Sequence, residues 1–180
     1  MTVLVGTEIL EVQGIAADGS PAATTQTVTV KDIANTAVNV APLAGGATKT
    51  LTAADAGLTV LLDTAAGSVI TLPAATGSGN VFKFVTTTTT TSGAHKILAA
   101  STSDFLQGIV IGENLGTAKV FTADGTADHS LQMPFTGSQP SGGFIGDSFT
   151  ITDIATNLFQ VTGTYQAGTT PTTPFSTSAT

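Results

Sequence analysis

The sequence predicts an all-β protein: a single antiparallel β-sandwich or jelly-roll-like/barrel body, preceded by an N-terminal arm made of a small β-hairpin plus a short helix. Three observations predict it. First, apolar and β-branched residues come in short runs, as at 58–62, 69–72 and 81–85 within LTAADAGLTVLLDTAAGSVITLPAATGSGNVFKFV, each bounded by Gly, Asp, Ser, Ala or Pro. Second, the runs alternate. Phe82 and Phe84 fall on one face of a strand and Val81, Lys83 and Val85 on the other, because strand side chains repeat with a period of two. Third, 41% of the 180 residues are hydrophobic and only 9% are charged, against a usual charged share of about 25%. That balance folds, because disorder needs low hydrophobicity and high net charge.

Residues 1–45 form the arm. Thr7-Glu8-Ile9-Leu10-Glu11-Val12 reads as a strand, 17–21 as a turn, and 25–30 as a strand returning on the first. Val30-Lys31-Asp32-Ile33-Ala34-Asn35 has helical character, with Thr29 placed as N-cap and Asp32 in the first turn. A two-stranded hairpin is marginal alone in water, so the arm must lean on something else. Pro42 and the pair Gly45-Gly46 mark 41–47 as a linker.

The body, 46–168, opens with three strands expected to form an antiparallel meander. Residues 96–99 follow, then 105–112, whose nearly continuous LQGIVIG predicts a central strand buried on both faces. Residues 119–122 and 129–133 flank Asp124-Gly125 as a hairpin. Residues 148–152 and 158–165 form a final pair, in which Phe159, Val161 and Tyr165 share the inward face. The segment 169–180, rich in Thr and Pro, reads as an extended tail packing through Phe175.

Five lysines, no arginine and twelve acidic residues give a formal charge of −7, which repels nucleic acid phosphates and anionic lipid heads alike. The absence of cysteine excludes disulfides and thiolate metal sites. No run approaches the ~18 apolar residues of a membrane span, and MTVLVGTEIL lacks the pattern of a secretory signal, so the expectation is a chain used in the cytosol or released by lysis.

No enzyme is expected. The chain carries no GxSxG, GxGxxG or P-loop, and Ser and Thr are too abundant for proximity to His95 or His129 to mark a nucleophile. The segment TADGTADH gathers Asp124, Asp128 and His129, yet a calcium loop needs more oxygen ligands at fixed spacing, so an ordinary turn is the expectation, with neither metal nor cofactor. The tract Thr86–Thr91 reads as an edge or interface strand, since Thr prefers extended backbone.

The opening GTEILEVQG…TVTVKDIANTA resembles a motif at the N-terminus of tailed-bacteriophage virion proteins. The body, through LTAADAG, VLLDTAAGS, TLPAATGSG and GDSFT, is similar to phage capsid decoration (cement) or head-fibre-type structural proteins. The resemblance implies a homotrimer on the outer surface of the capsid at threefold or quasi-threefold positions. It would bind the major capsid protein and stabilise the shell by bridging capsomers. In that reading Ile9, Leu10, Val12, Ile15 and Ile33 of the arm make the capsid or subunit contact. The alternative is a head- or tail-fibre or receptor-binding module reading glycans through loops 112–116 and 137–143. It is disfavoured because there is no Trp and the single Tyr165 points inward.

Overall fold

A computed structural model of the chain describes residues 10–15, 21–28, 41–133, 135–136 and 139–178. Two compact units divide it, Met1–Val40 and Ala41–Thr180. In the first, β1 (Leu10–Ile15) pairs antiparallel with β2 (Pro21–Val28), Leu10 opposite Val28, with an irregularity between Gln13 and Ile15. The hairpin expected in the arm is present, its first strand running on to Ile15. The expected helix at 30–35 lies outside the described residues.

The second unit contains β3 (Leu43–Ala44), β4 (Thr48–Thr50), β5 (Thr59–Leu62), β6 (Val69–Thr71), β7 (Val81–Thr86), β8 (His95–Leu98) and β9 (Phe105–Asn114). It continues with β10 (Thr117–Asp124), β11 (Ser130–Met133), β12 (Phe135–Thr136), β13 (Gln139–Pro140), β14 (Ser148–Ala155), β15 (Leu158–Gln166) and β16 (Phe175–Ser176). The fold is all-β. A seven-stranded sheet runs β10-β9-β15-β14-β7-β5-β3, a five-stranded sheet runs β16-β11-β8-β6-β4, and β12 and β13 form a small ribbon.

The sheets are mixed, which corrects the expectation of an antiparallel body. From β3 to β8 successive strands alternate between the two sheets, and each lies parallel to the strand two before it: β3 with β5, β5 with β7, β4 with β6, β6 with β8. The expected meander is therefore a short coil. Segments 63–68 and 72–80 are long enough to permit the crossing to the opposite sheet, which a two-residue hairpin turn would not. Leu43–Ala44, within the stretch read as a linker, is the strand that opens this coil, and the second unit accordingly begins at Ala41 rather than at residue 46.

Two further pairings differ from expectation. β10 does not pair with β11; it folds back antiparallel on β9, while β11 joins β8 and β16. β9 is not buried on both faces. It lies second from the sheet edge, between β10 and β15, and it runs parallel to β15.

Side chains from both large sheets meet in one core. Phe82, Phe84, Phe149, Phe159, Leu106 and Val161 come from the first, and Ile70, Ile97, Leu131 and Met133 from the second. Gly108 lets β9 approach β15 closely. Its φ is +147°, and a Cβ there would stand 1.9 Å from the Val161 carbonyl oxygen. The tail is tied down more firmly than expected. The Tyr165 hydroxyl donates to the Thr172 carbonyl, Gln132 N–H donates to the Pro174 carbonyl at 2.6 Å, and Phe175 is buried as part of β16.

Candidate functional site

The surface that stands out is the outer face of β9 and its neighbours. Period-two alternation sends Leu106 and Val110 of β9 into the core and Gln107, Ile109 and Ile111 outward. Val120 of β10 lies opposite Ile111 and Thr122 opposite Ile109. On the other side Thr162 and Thr164 of β15 stand beside Ile109 and Ile111. Ile109, Ile111 and Val120 are 50%, 40% and 62% exposed, and the three threonines beside them are exposed too. The result is an uncharged, β-branched patch on a rigid sheet. Contiguous apolar surface of this kind marks an interaction site in soluble proteins.

The patch continues to the β9–β10 hairpin tip. Leu115 and Gly116 make a two-residue turn, both with positive φ (+45° and +85°), as a tight turn between twisted strands requires. Leu115 is the residue there that pays backbone strain, and it is 96% exposed. Glu113 steadies the turn by accepting a hydrogen bond from Gly116 N–H.

Beside the tip run two adjoining depressions of about 230 and 270 Å³ that share Glu113 and Gln166. Ile145, Asp147 and Thr164 line the first, Leu115 and Phe144 the second. Asp147 fixes this wall. It is buried, and its carboxylate accepts from Gly143 N–H (2.7 Å), Phe144 N–H (3.0 Å) and Gln166 N–H (2.8 Å). Burial pushes its pKa up to about 6, and the three hydrogen bonds pull the other way without winning. Of the large hydrophobics that stand exposed among the described residues, all but Ile154 border this ribbon or groove.

The other titratable groups are engaged in holding the fold. His95 is buried, its Nδ1 accepting from Ser68 N–H and its Nε2 3.0 Å from the Thr88 carbonyl, an arrangement that fits the neutral ring protonated on Nε2. Burial lowers its pKa. Asp153 is held by the 76–78 turn: it accepts from the backbone N–H groups of Thr76, Gly77 (2.7 Å) and Ser78 (3.0 Å) and from the hydroxyls of Thr76 and Ser78. Burial alone would raise its pKa, but these donors outweigh it and bring the group down to about 2.

In the segment TADGTADH, Asp124 accepts from the N–H and hydroxyl of Thr126, and His129 Nδ1 lies 2.9 Å from the Asp104 carbonyl. Among the described residues, no three His, Asp or Glu side chains gather where they could hold a metal ion. No helix among them is long and apolar enough to cross a membrane.

Of the arm residues expected to make contacts, Leu10, Val12 and Ile15 lie in β1, in register with Val28, Gln26 and Pro21. Ile9 and Ile33 lie outside the described residues. The exposed ribbon was missed because LQGIVIG looks uniformly apolar. The signal that could have found it is its flanks: Gln107 and Glu113 share a face with Ile109 and Ile111, so that face meets water at both ends. The tract Thr86–Thr91 is a strand only at Thr86 and continues as loop. No protein-family model, curated protein or solved structure matches the chain.

Proposed function

We propose that this chain is a virion structural protein, a decoration or cement protein that binds the major capsid protein on the outer capsid surface, assembles as a homotrimer and stabilises the shell by bridging capsomers. The observation that carries the reading is the exposed ribbon of Ile109, Ile111 and Val120, an uncharged apolar face presented by a firmly packed all-β unit. The engagement of Asp147, Asp153, His95 and His129 in internal hydrogen bonds agrees with a binding role rather than turnover. Bridging a shell needs many modest contacts acting together, and a neutral apolar face supplies them without the cost of stripping water from charges.

The arm, Met1–Val40, is compact by itself and takes the part of a second contact to the shell or to an adjacent subunit. The test is to delete residues 1–40 and mix the product with particles made without this chain. The reading expects loss of binding with the 41–180 unit still giving a β-type circular dichroism spectrum. Decoration by the truncated chain removes the arm from the proposal. The groove beside Leu115 and Phe144 favours the second reading, a receptor-facing module, because Glu113, Asn114 and Leu115 of the 112–116 loop line it. Copy number separates the two: a cement follows the number of capsomers, a fibre module the number of tails or spikes.

A further inference from the structure

We propose that the free edge of β10 pairs antiparallel with the same edge of a second copy of this chain, joining two seven-stranded sheets into one. β10 is the outermost strand of its sheet, and among the described residues nothing pairs with its far side. Residues 117–120, 122 and 124 are exposed, whereas Phe121 is half-buried, Ala123 is buried and β10 touches β16, so the edge lies open chiefly over 117–120.

The alternation of backbone groups says which residues are available. Gly125 N–H donates to the Leu106 carbonyl at 3.0 Å, in line with the unbroken register that sets Asp124 opposite Gln107. Odd-numbered residues of this strand therefore turn their N–H and C=O groups toward β9. Even-numbered Ala118, Val120, Thr122 and Asp124 turn theirs outward. Those groups form a row of donors and acceptors whose complement is another extended strand.

Native sheets usually guard such an edge with a short strand, a proline, a bulge or charged side chains, lysine above all. β10 is 8 residues long, contains no proline and keeps an unbroken register with β9; its charges are one lysine, Lys119, and one carboxylate, Asp124, and its centre Val120-Phe121-Thr122 is uncharged and strand-favouring. The opposite edge of the same sheet, β3, has only 2 residues and cannot serve as the partner. The strand that fits is β10 itself.

Antiparallel pairing centred on Phe121 sets Val120 opposite Thr122 of the partner subunit, Ala118 opposite Asp124 of the partner subunit, and Lys119 opposite Ala123 of the partner subunit. No two like charges face each other, which matters between copies that each carry a formal charge of −7. Pairing also brings the two sets of Ile109, Ile111 and Val120 side by side, doubling the apolar face. This contact does not depend on capsid binding and leaves other surfaces free for a threefold assembly.

The test measures the mass of the full chain in solution by sedimentation, for the wild type, Val120→Pro and Val120→Lys. Proline at 120 removes an outward N–H and none that β9 uses, a position where sheets tolerate it. Lysine keeps the donor and adds a charge to each copy at the seam. The expected result is a wild-type particle of twice the mass of either variant where two assemblies close on each other, and more than twice where the copies of a threefold assembly pair with different neighbours, with unchanged circular dichroism. Should Val120→Pro lose its fold, Val120→Lys decides alone. Equal masses for wild type and folded variants, including a wild type that is already a single chain, overturn the proposal.

Discussion

Removing the Asp153 carboxylate should be among the most damaging polar substitutions in the molecule, and its cost can be worked from the site. Asp153→Ala leaves the N–H groups of Thr76, Gly77 and Ser78 without their acceptor and frees two hydroxyls. Each stranded buried donor costs about 1–3 kcal/mol, but residues 76–78 are exposed and water recovers part of that, so about 3 kcal/mol is expected. The lowered pKa, which the same donors cause, gives the share that depends on the charge. A fall from 3.8 to about 2 is nearly two units, or about 2.5 kcal/mol at roughly 1.4 kcal/mol per unit.

The lowered pKa also fixes a pH dependence. The folded-state pKa lies below the unfolded one, so the stabilisation is fully present above pH 3.8 and is lost as pH falls through about 2. Urea unfolding followed by circular dichroism should show Asp153→Asn less stable than wild type by a constant margin from pH 5 to 7. The margin should shrink steadily toward pH 2. A penalty of only a few tenths of a kcal/mol for Asp153→Ala, or a margin indifferent to pH, refutes the reasoning.

Two other groups tilt stability with pH in opposite senses. Asp147 has its pKa raised from 3.8 to about 6, so its contribution is full below 3.8 and fades as pH rises through 6, amounting to about 3 kcal/mol at 1.36 kcal/mol per unit. Asp147→Asn, neutral throughout, should lose this slope, and unfolding midpoints at pH 4 and 7 read it directly. His95 has a lowered pKa, so its contribution holds above 6.5 and is lost as pH falls below that. Protonation also destroys the acceptor for Ser68 N–H, and His95→Gln should flatten the acid limb of the stability curve. Gly108→Ala should cost more than about 3 kcal/mol, because its Cβ would fall on the Val161 carbonyl and backbone must shift; a melting curve near that of wild type would contradict the β9–β15 geometry. Ile109→Lys with Ile111→Lys should leave the melting temperature within a degree or two, as exposed sites change stability by only about 0.5 kcal/mol, while abolishing particle binding.

The strands were legible in the sequence because period-two alternation survives locally. Phe82, Phe84, Phe159, Val161 and Tyr165 are buried as the pattern required, and Lys83, Gln160 and Thr162 are exposed. Pairing was not legible. A strand carries its face pattern but not its neighbour, and a connector such as 63–68 serves a long hairpin or a crossing to the other sheet equally well. The Asp124-Gly125 pair does mark a turn, with Gly125 at φ +81°, yet the turn leads β10 away from β11 and not back along it. Leu43–Ala44 was hidden because Pro42 and Gly45 flank it, and those residues terminate a short edge strand as readily as they make a linker. The exposed ribbon was hidden by its composition. Apolar residues predict burial unless the far face is known to be empty, and the sequence does not say what covers a sheet.

The proposed coating of a capsid by this chain is open to a simple reconstitution. Particles made without it, mixed with increasing amounts of the purified full-length chain and separated from free protein by sedimentation, test that directly. The expected result is binding that saturates at a fixed ratio to the major capsid protein and raises the temperature at which the particles release their DNA. No binding, or binding confined to one vertex or to tails, with the release temperature unmoved, would contradict it.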